Sequence, residues 1–318
     1  MDTFIVCIAN SFKYSGRCVA GVEVMPRDGG KWKISIKDGT PKWIRPFSKV
    51  TSHGEIPNDQ AALFSAGNVV KLHDIVPCPD CAHSENVYYS KSEIVDKVQL
   101  TPALLDKFCD RVHPNLFENR GKAVIDDVFK NSLTYSLMLV KPDSLEFRYE
   151  GKTKSGYDKL RCAFVYKGIR YDFPVTDPVF IAECNNDFAK AINYTDYYLG
   201  LSITVEWSIP TEDETLGPAY HFKLVASVIH SDEQASDGWY VAFERPFTPV
   251  ELDSIQSAVI VASDSGNVAE LKVSSGYLTH IPMDAKSTLT VGESFDVRSA
   301  IILTYRKEGE NDRFTILA

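Results

Sequence analysis

The sequence predicts a mainly β protein, α+β overall: two small antiparallel barrels, a helical connector between them, and a third, small β-rich C-terminal domain. Three observations carry this. Short apolar runs rich in β-branched residues recur between turn signals over the first hundred residues. The period becomes helical between residues 99 and 140. Alternation then resumes from residue 145 onward. At 318 residues the chain exceeds the usual length of one domain. Its 44% hydrophobic and 24% charged content exclude a disordered tail, a collagen-like repeat and a disulfide-dense mini-domain.

Residues 3–9 (TFIVCIA) form the first expected strand, followed by 18–25, the alternating 32–36, and 42–44. Gly29-Gly30 and Asp38-Gly39 punctuate them as turns. Residues 67–76 (GNVVKLHDIV) add a strand, and the first unit is expected to end near residue 98. In the connector, 99–142, Thr101 followed by Pro102 reads as a helix start with Thr101 as N-cap. Residues 123–130 (AVIDDVFK) place Val124, Ile125, Val128 and Phe129 at helical spacing. The second unit, 143–234, is expected to hold strands at 145–149, 159–166, 169–174, 179–184, 199–209 and 220–230. Lys167-Gly168 reads as a hairpin tip, and 210–218 (PTEDETLGP) as an acidic exposed loop. The third unit, 235–318, carries strand signals at 257–262, 269–273, 279–282 and 300–305, separated by Gly266, Gly276 and Gly292.

The apolar stretch at the N-terminus is too short for a signal-peptide core, and no window approaches the length of a membrane helix. Seven cysteines are scattered through apolar runs, the usage expected of reduced thiols in a cytoplasmic protein. The formal net charge of -9 excludes a globally basic nucleic-acid binder. It conceals a local reversal: between residues 12 and 49, nine cations stand against three acids, an excess of six that leaves -15 for the rest. Phe12, Tyr14, Trp32, Trp43 and Phe47 interleave with these cations. Single-stranded nucleic-acid sites combine the same residue types, because cations track phosphates and aromatic faces stack bases. A solvated basic sheet face with its aromatics in the core gives the same pattern.

Cys78-Pro-Asp-Cys81, with His83 and His73 nearby, is half of a zinc site, and no second ligand pair follows. Its loop setting also differs from the helix N-terminus a redox CxxC uses, so an inert pair is expected, with no metal and no cofactor. No GxSxG, GxxxxGK[ST] or HExxH motif is present, and no catalytic residue is assigned.

The blocks IANSFKYSGRCVAGVEV, WIRPFS, HGEI, LHDIV and HSEN resemble the dual OB-containing domain family of prokaryotes, through Asn10, Lys13, Gly16, Arg17, Glu23, Trp43, Arg45, Glu55, Asp74, Glu85 and Asn86 among others. YKGIRYDFPVTDP and YYLGLSITVEW resemble the second barrel, so the resemblance spans residues 1 to about 234. The family's Pro-rich stretch before Glu-Asn is replaced here by CPDCAHS, and a zinc or redox role gains no support from it. The resemblance implies two OB-like antiparallel barrels and nucleic-acid binding, in a mobile-element or anti-phage setting. The expected ligand is single-stranded DNA or RNA, held by Asn10, Lys13, Arg17, Arg45 and Glu55, with phosphate on Lys13, Arg17 and Arg45 and a base stacked on Trp43. Protein partners from the same operon are a further expectation. Two alternatives stay open: an enzyme or nucleotide-like ligand pocket using Asn10, Lys13, Arg17, Arg45 and Glu55 as one polar cleft, and a protein-interaction scaffold.

Overall fold

The computed structural model describes residues 2–28, 31–79, 82–152, 158–210 and 216–231, and the backbone of strands beyond residue 231. The first unit contains β1 (Thr3–Lys13), β2 (Gly16–Arg27), β3 (Lys31–Ile34), β4 (Ile36–Lys37), β5 (Thr40–Pro41), β6 (Trp43–Phe47), α1 (Asn58–Ala61), β7 (Asn68–His73), β8 (Val76–Pro77), β9 (Asn86–Tyr88) and β10 (Lys91–Lys97). Its main sheet runs β10-β7-β1-β2-β6-β9-β8, with β3 paired to β2. A register shift in β1 between Cys7 and Ala9 curls it, and Gly21 is needed where β2 presses on β1. A Cβ there would lie 2.4 Å from the Val6 carbonyl oxygen. Asp38 and Gly39 both have positive φ (52° and 80°), as a tight turn between β4 and β5 requires. Gly29 and Gly30 lie outside the described residues.

The segment after β10 holds α2 (Pro102–Phe108), β11 (Ala123–Ile125), α3 (Asp126–Asn131) and β12 (Leu137–Val140). Thr101 caps α2, its Oγ1 accepting from the Leu104 N–H at 3.3 Å, as expected. The helical expectation for 123–130 is corrected. Residues 123–125 pair with a later strand instead, and only the part from Asp126 is helical. The connector is therefore not purely helical, because β11 and β12 both enter the second sheet.

The second unit adds β13 (Ser144–Lys152), β14 (Asp158–Tyr166), β15 (Ile169–Pro174), α4 (Pro178–Asn186), α5 (Phe188–Ala191), β16 (Tyr197–Ile203), β17 (Trp207–Pro210) and β18 (Leu216–His230). One sheet runs β11-β18-β16-β12, with β17 paired to β18. The β13–β15 meander joins it through a parallel bridge, Val175 to Val225. Lys167 and Gly168 have φ of 49° and 73° and form the anticipated hairpin tip. Residues 179–184, expected as strand, are helix. The Asp177 carboxylate accepts from the Val179 and Phe180 N–H groups, Pro178 occupies the first turn, and Phe180 and Cys184 share the buried face. The expected strand at 199–209 is interrupted at 204–206.

Beyond the second unit, β19 (Tyr240–Phe243), β24 (Ile301–Glu308) and β25 (Asn311–Leu317) extend the sheet of β13, with Arg148 opposite Thr315. Strands β20 (Ile255–Ser263), β21 (Gly266–Val273), β22 (Leu278–Pro282) and β23 (Ser294–Phe295) form a separate antiparallel sheet. Among the described residues no helix is long and apolar enough to cross a membrane.

The two curled β units are fused by a shared core. Val6, Ile8, Val22, Val24 and Trp43 from the first pack with Leu105 and Phe108 of α2 and with Leu137, Leu139, Tyr198 and Ala226 from the second. Burial of this many large apolar side chains, at roughly 1.5–3 kcal/mol each, makes a rigid joint. The Phe12 N–H donates to the Thr176 carbonyl at 2.8 Å, and the Glu85 carboxylate accepts from the Ser136 N–H and hydroxyl at 2.7 and 2.9 Å. The tip of the β1–β2 hairpin is thus fixed beside the second unit.

Candidate functional site

A cleft of about 940 Å³ opens along this joint. Its first wall is the β1–β2 hairpin, with Ser11, Phe12, Lys13, Tyr14 and Cys18. Arg45 and Phe47 of β6 and the loop after it, residues 48–54, form the second. Cys78, Pro79, His83, Asn86 and Tyr88 form the third, and Ser202–Val205 with Leu224 close the cleft from the second unit. None of the described residues lining it is an Asp or Glu.

The floor is polar and buried. Arg45 is only 3% exposed, in a strand whose neighbours Trp43, Ile44 and Pro46 are all buried. One of its terminal nitrogens donates to Asn86 Oδ1 at 3.0 Å and the other to Ser202 Oγ at 3.2 Å, so it spans the joint between the units. Its Nε has no hydrogen-bond partner among the described residues, and no carboxylate there pairs with it. A buried guanidinium held by neutral groups alone is costly unless an anion completes its shell. His83 sits beside it, its Nε2 facing the Ile203 carbonyl oxygen at 3.2 Å. Burial, and then the Arg45 charge, push this imidazole down to about 3, so it is neutral at neutral pH.

The walls carry a ladder of cations and aromatic rings. Lys13 Nζ lies 4.2 Å from the centre of the Phe47 ring and Lys49 Nζ 5.3 Å from that of Tyr88. Phe47 meets Tyr88 edge-on at 6.4 Å. Burial holds the Lys13 ammonium below its ordinary value, and Arg45 pushes the same way, while the Cys18 thiol and Glu55 oppose. At the rim, Tyr14 is 61% exposed and stacks on His53 at 4.0 Å. Gly54, with φ of 72°, lets the Phe47 ring lie against the rim loop, since a Cβ there would fall 2.0 Å from that ring.

The expected site residues separate into three groups. Lys13 and Arg45 meet in the cleft. Arg17, Asn10 and Glu55 support it from behind. The Arg17 guanidinium covers the Phe12 ring at 4.4 Å, and its backbone pairs with Ile56. Asn10 Nδ2 donates to the Ala61 and Phe64 carbonyls, and Glu55 Oε2 accepts from the His53 N–H at 3.1 Å to shape the rim loop. Trp43 corrects the expectation outright. At 8% exposure it packs in the shared core, and its ring is not presented to a stacking base. The excess of six charges does not form one face either. Of its nine cations only Lys13, Arg45 and Lys49 line the cleft, while Lys42 pairs with Glu23 at 2.8 Å.

Sequence reasoning missed Tyr14, Tyr88, Asn86, Ser202 and Thr204 as site residues. Tyr14 and Phe47 stood in the basic stretch that drew attention, but nothing local marks Ser202, which reaches Arg45 from 157 residues away. Cys78 lines the cleft and Cys81 lies outside the described residues. Among the described residues no cluster of three or more His, Cys, Asp or Glu side chains could hold a metal ion.

Comparison with known proteins gives two findings. The sequence model of a family described as "Dual OB-containing domain" matches residues 4–228, which cover both β units. A murine DNA binding protein bound with ds DNA is similar at 9% identity and a TM-score of 0.22, over 73% of this chain and 98% of that one. The Ifi202 HINa domain in complex with 20bp dsDNA is similar at 8% identity and a TM-score of 0.24, over 74% and 96%. No curated protein matches the chain.

Proposed function

The chain belongs to the dual OB-containing domain family, and from that premise we propose that it is a binding module that holds single-stranded nucleic acid, DNA or RNA, in the cleft between its two barrels. One observation carries the proposal: three cations and four aromatic rings line a concavity with no acid among its described residues, in a protein of net charge -9. Phosphates would ion-pair with Arg45, Lys13 and Lys49, none of which has an ion-pair partner within 4 Å among the described residues, and the exposed ring of Tyr14 offers a stacking platform at the rim. The acidic remainder repels a long duplex from most of the surface, which leaves a short flexible strand as the better fit. The role in a mobile-element or anti-phage system, with protein partners from the same operon, belongs to the same proposal and rests on the family alone.

Titrating labelled single-stranded DNA and RNA at two salt concentrations tests this reading. Three phosphate contacts give a log–log salt slope of about -2, at about -0.7 per contact. A dissociation constant weaker than about 100 μM at low salt for both nucleic acids, a level no tighter than non-specific contact, rules the module out.

A further inference from the structure

Depth divides the cleft, and the two levels differ in chemistry. Tyr14, Lys49 and His53 form an exposed rim. Ser11, Arg45, His83, Asn86 and Ser202 form a floor of polar side chains, each more than nine-tenths buried. At that floor Arg45 has a donor without a partner among the described residues, and Lys13 stands on the adjoining wall.

We propose that this floor takes a terminal phosphomonoester, the phosphorylated end of a nucleic-acid strand or a mononucleotide, with Arg45 and Lys13 as its cations. The inference rests on the cleft reading above and specifies which part of the ligand enters first. Two arguments favour an end over an internal linkage. An internal phosphodiester carries a nucleotide on each side, so bringing it to a buried floor drags both flanks past the rim. A chain end brings only one. Charge points the same way: a phosphomonoester carries about -1.5 to -2 at pH 7, against a single charge for a diester. Two cations without a carboxylate among the described lining residues match the dianion. The guanidinium, fixed by Asn86 and Ser202 at the cleft wall, is the planar fork whose N–H groups match phosphate oxygens. The cleft volume of about 940 Å³ lies within the range of pockets that enclose small ligands, roughly 300–1,000 Å³.

The test measures binding of three single-stranded hexanucleotides of one sequence, with a 5′-phosphate, a 3′-phosphate, or hydroxyls at both ends. Adenosine monophosphate and inorganic phosphate serve as competitors. One phosphorylated end should bind at least about tenfold more tightly than the hydroxyl-ended strand, a difference of about 1.4 kcal/mol. In Arg45→Gln that preference should fall below twofold. Because Arg45 bridges the units, Lys13→Gln provides a second variant that leaves the Asn86 and Ser202 contacts in place, and it should also reduce the preference. Displacement by the mononucleotide and not by inorganic phosphate identifies the nucleotide end as the ligand; displacement by both assigns the floor to the phosphate group itself. Equal binding of all three strands to the wild type overturns the inference and keeps the cleft reading. Absence of strand binding, together with a Lys13-dependent rise in melting temperature on adding adenosine monophosphate, keeps the floor assignment and removes the strand. Absence of both overturns the two together.

Discussion

Two buried cations, one in each β unit, make opposite use of the same burial. Lys223 on β18 is 0% exposed, and its ammonium donates to the Leu116 carbonyl at 2.7 Å, the Asn119 carbonyl at 3.0 Å and Asn119 Oδ1 at 2.7 Å. Three donors meet three acceptors, and they grip a loop whose Phe117 and Glu118 adopt left-handed φ of 53° and 60°. Burial still pulls the ammonium down to about 7. Arg45 on β6 is nearly as buried, but it lines a cavity and its donor set is incomplete among the described residues. A buried cation with every donor used holds a fold together. One with a donor left over beside a cavity is the cation that the proposal above gives to the ligand.

The contrast breaks most visibly at Lys223. Lys223→Met takes the ammonium away from the Leu116 and Asn119 carbonyls at about 1–3 kcal/mol each, while Asn119 Oδ1 keeps the Gly121 N–H at 2.8 Å, so we expect a loss of about 3 kcal/mol after relaxation. Thermal melting should show this as a fall of roughly 6–12 °C for a unit of this size, with strand affinity of the folded protein unchanged. Arg45→Gln should do the reverse. A hydrogen bond to a charged group is worth about 1.5–3 kcal/mol, so affinity should drop about 10- to 100-fold, while the loss of the Asn86 and Ser202 bonds is offset in part by removal of a buried charge and lowers the melting temperature less than Lys223→Met does. Comparable loss of stability and affinity in either variant would erase the distinction.

The aromatic residues sharpen the same division. Tyr14→Ala removes an exposed ring and should weaken binding by about 1–3 kcal/mol without changing the salt slope, because stacking is not ionic. Trp43→Phe should lower the melting temperature and leave the affinity alone, since the indole is packed against the shared core. Lys49→Ala, at the rim, should reduce the salt slope by about 0.7 and the affinity only a few-fold. The smallest effect concerns pH. The folded His83 titrates near 3, below its ordinary value of 6.5. The native state therefore binds fewer protons than the unfolded chain between those values, and the stability this group contributes is present above pH 6.5 and lost as pH falls toward about 3. Strand affinity between pH 6.5 and 8 should consequently move less than twofold.

The sequence made the sheets legible and the site only partly so. Ile169–Pro174 and its Lys167-Gly168 tip follow from alternation and turn chemistry, both local properties. Residues 179–184 misled because six apolar-rich residues fit strand and helix equally, and the deciding signal was Asp177-Pro178 just before them. Arg45 was visible as a cation in an apolar run, which is also the pattern of a solvated edge. Its burial depends on Ser202 and the second unit, and no window of sequence contains that contact. Trp43 failed for the complementary reason, because an aromatic among cations looks the same whether its ring faces a ligand or a core. Lys223 did leave a trace: the alternation of β18 puts His221, Lys223 and Val225 on one face, so a lysine falls on the inward side.

The most direct test of the central claim is the ligand-induced melting shift of three proteins: wild type, Arg45→Gln and Lys223→Met. Each is heated with and without a single-stranded hexanucleotide phosphorylated at both ends, at about 100 times the wild-type dissociation constant, where binding adds about 2.7 kcal/mol to folding. The wild type and Lys223→Met should each gain roughly 5–11 °C from their own baselines, low as the second baseline will be, and Arg45→Gln, binding about 10- to 100-fold more weakly, should gain only about 0.4–1.4 kcal/mol, or roughly 1–6 °C. If Arg45→Gln shifts as far as the wild type, the buried guanidinium is one more structural cation, and the cleft floor is not where the ligand binds.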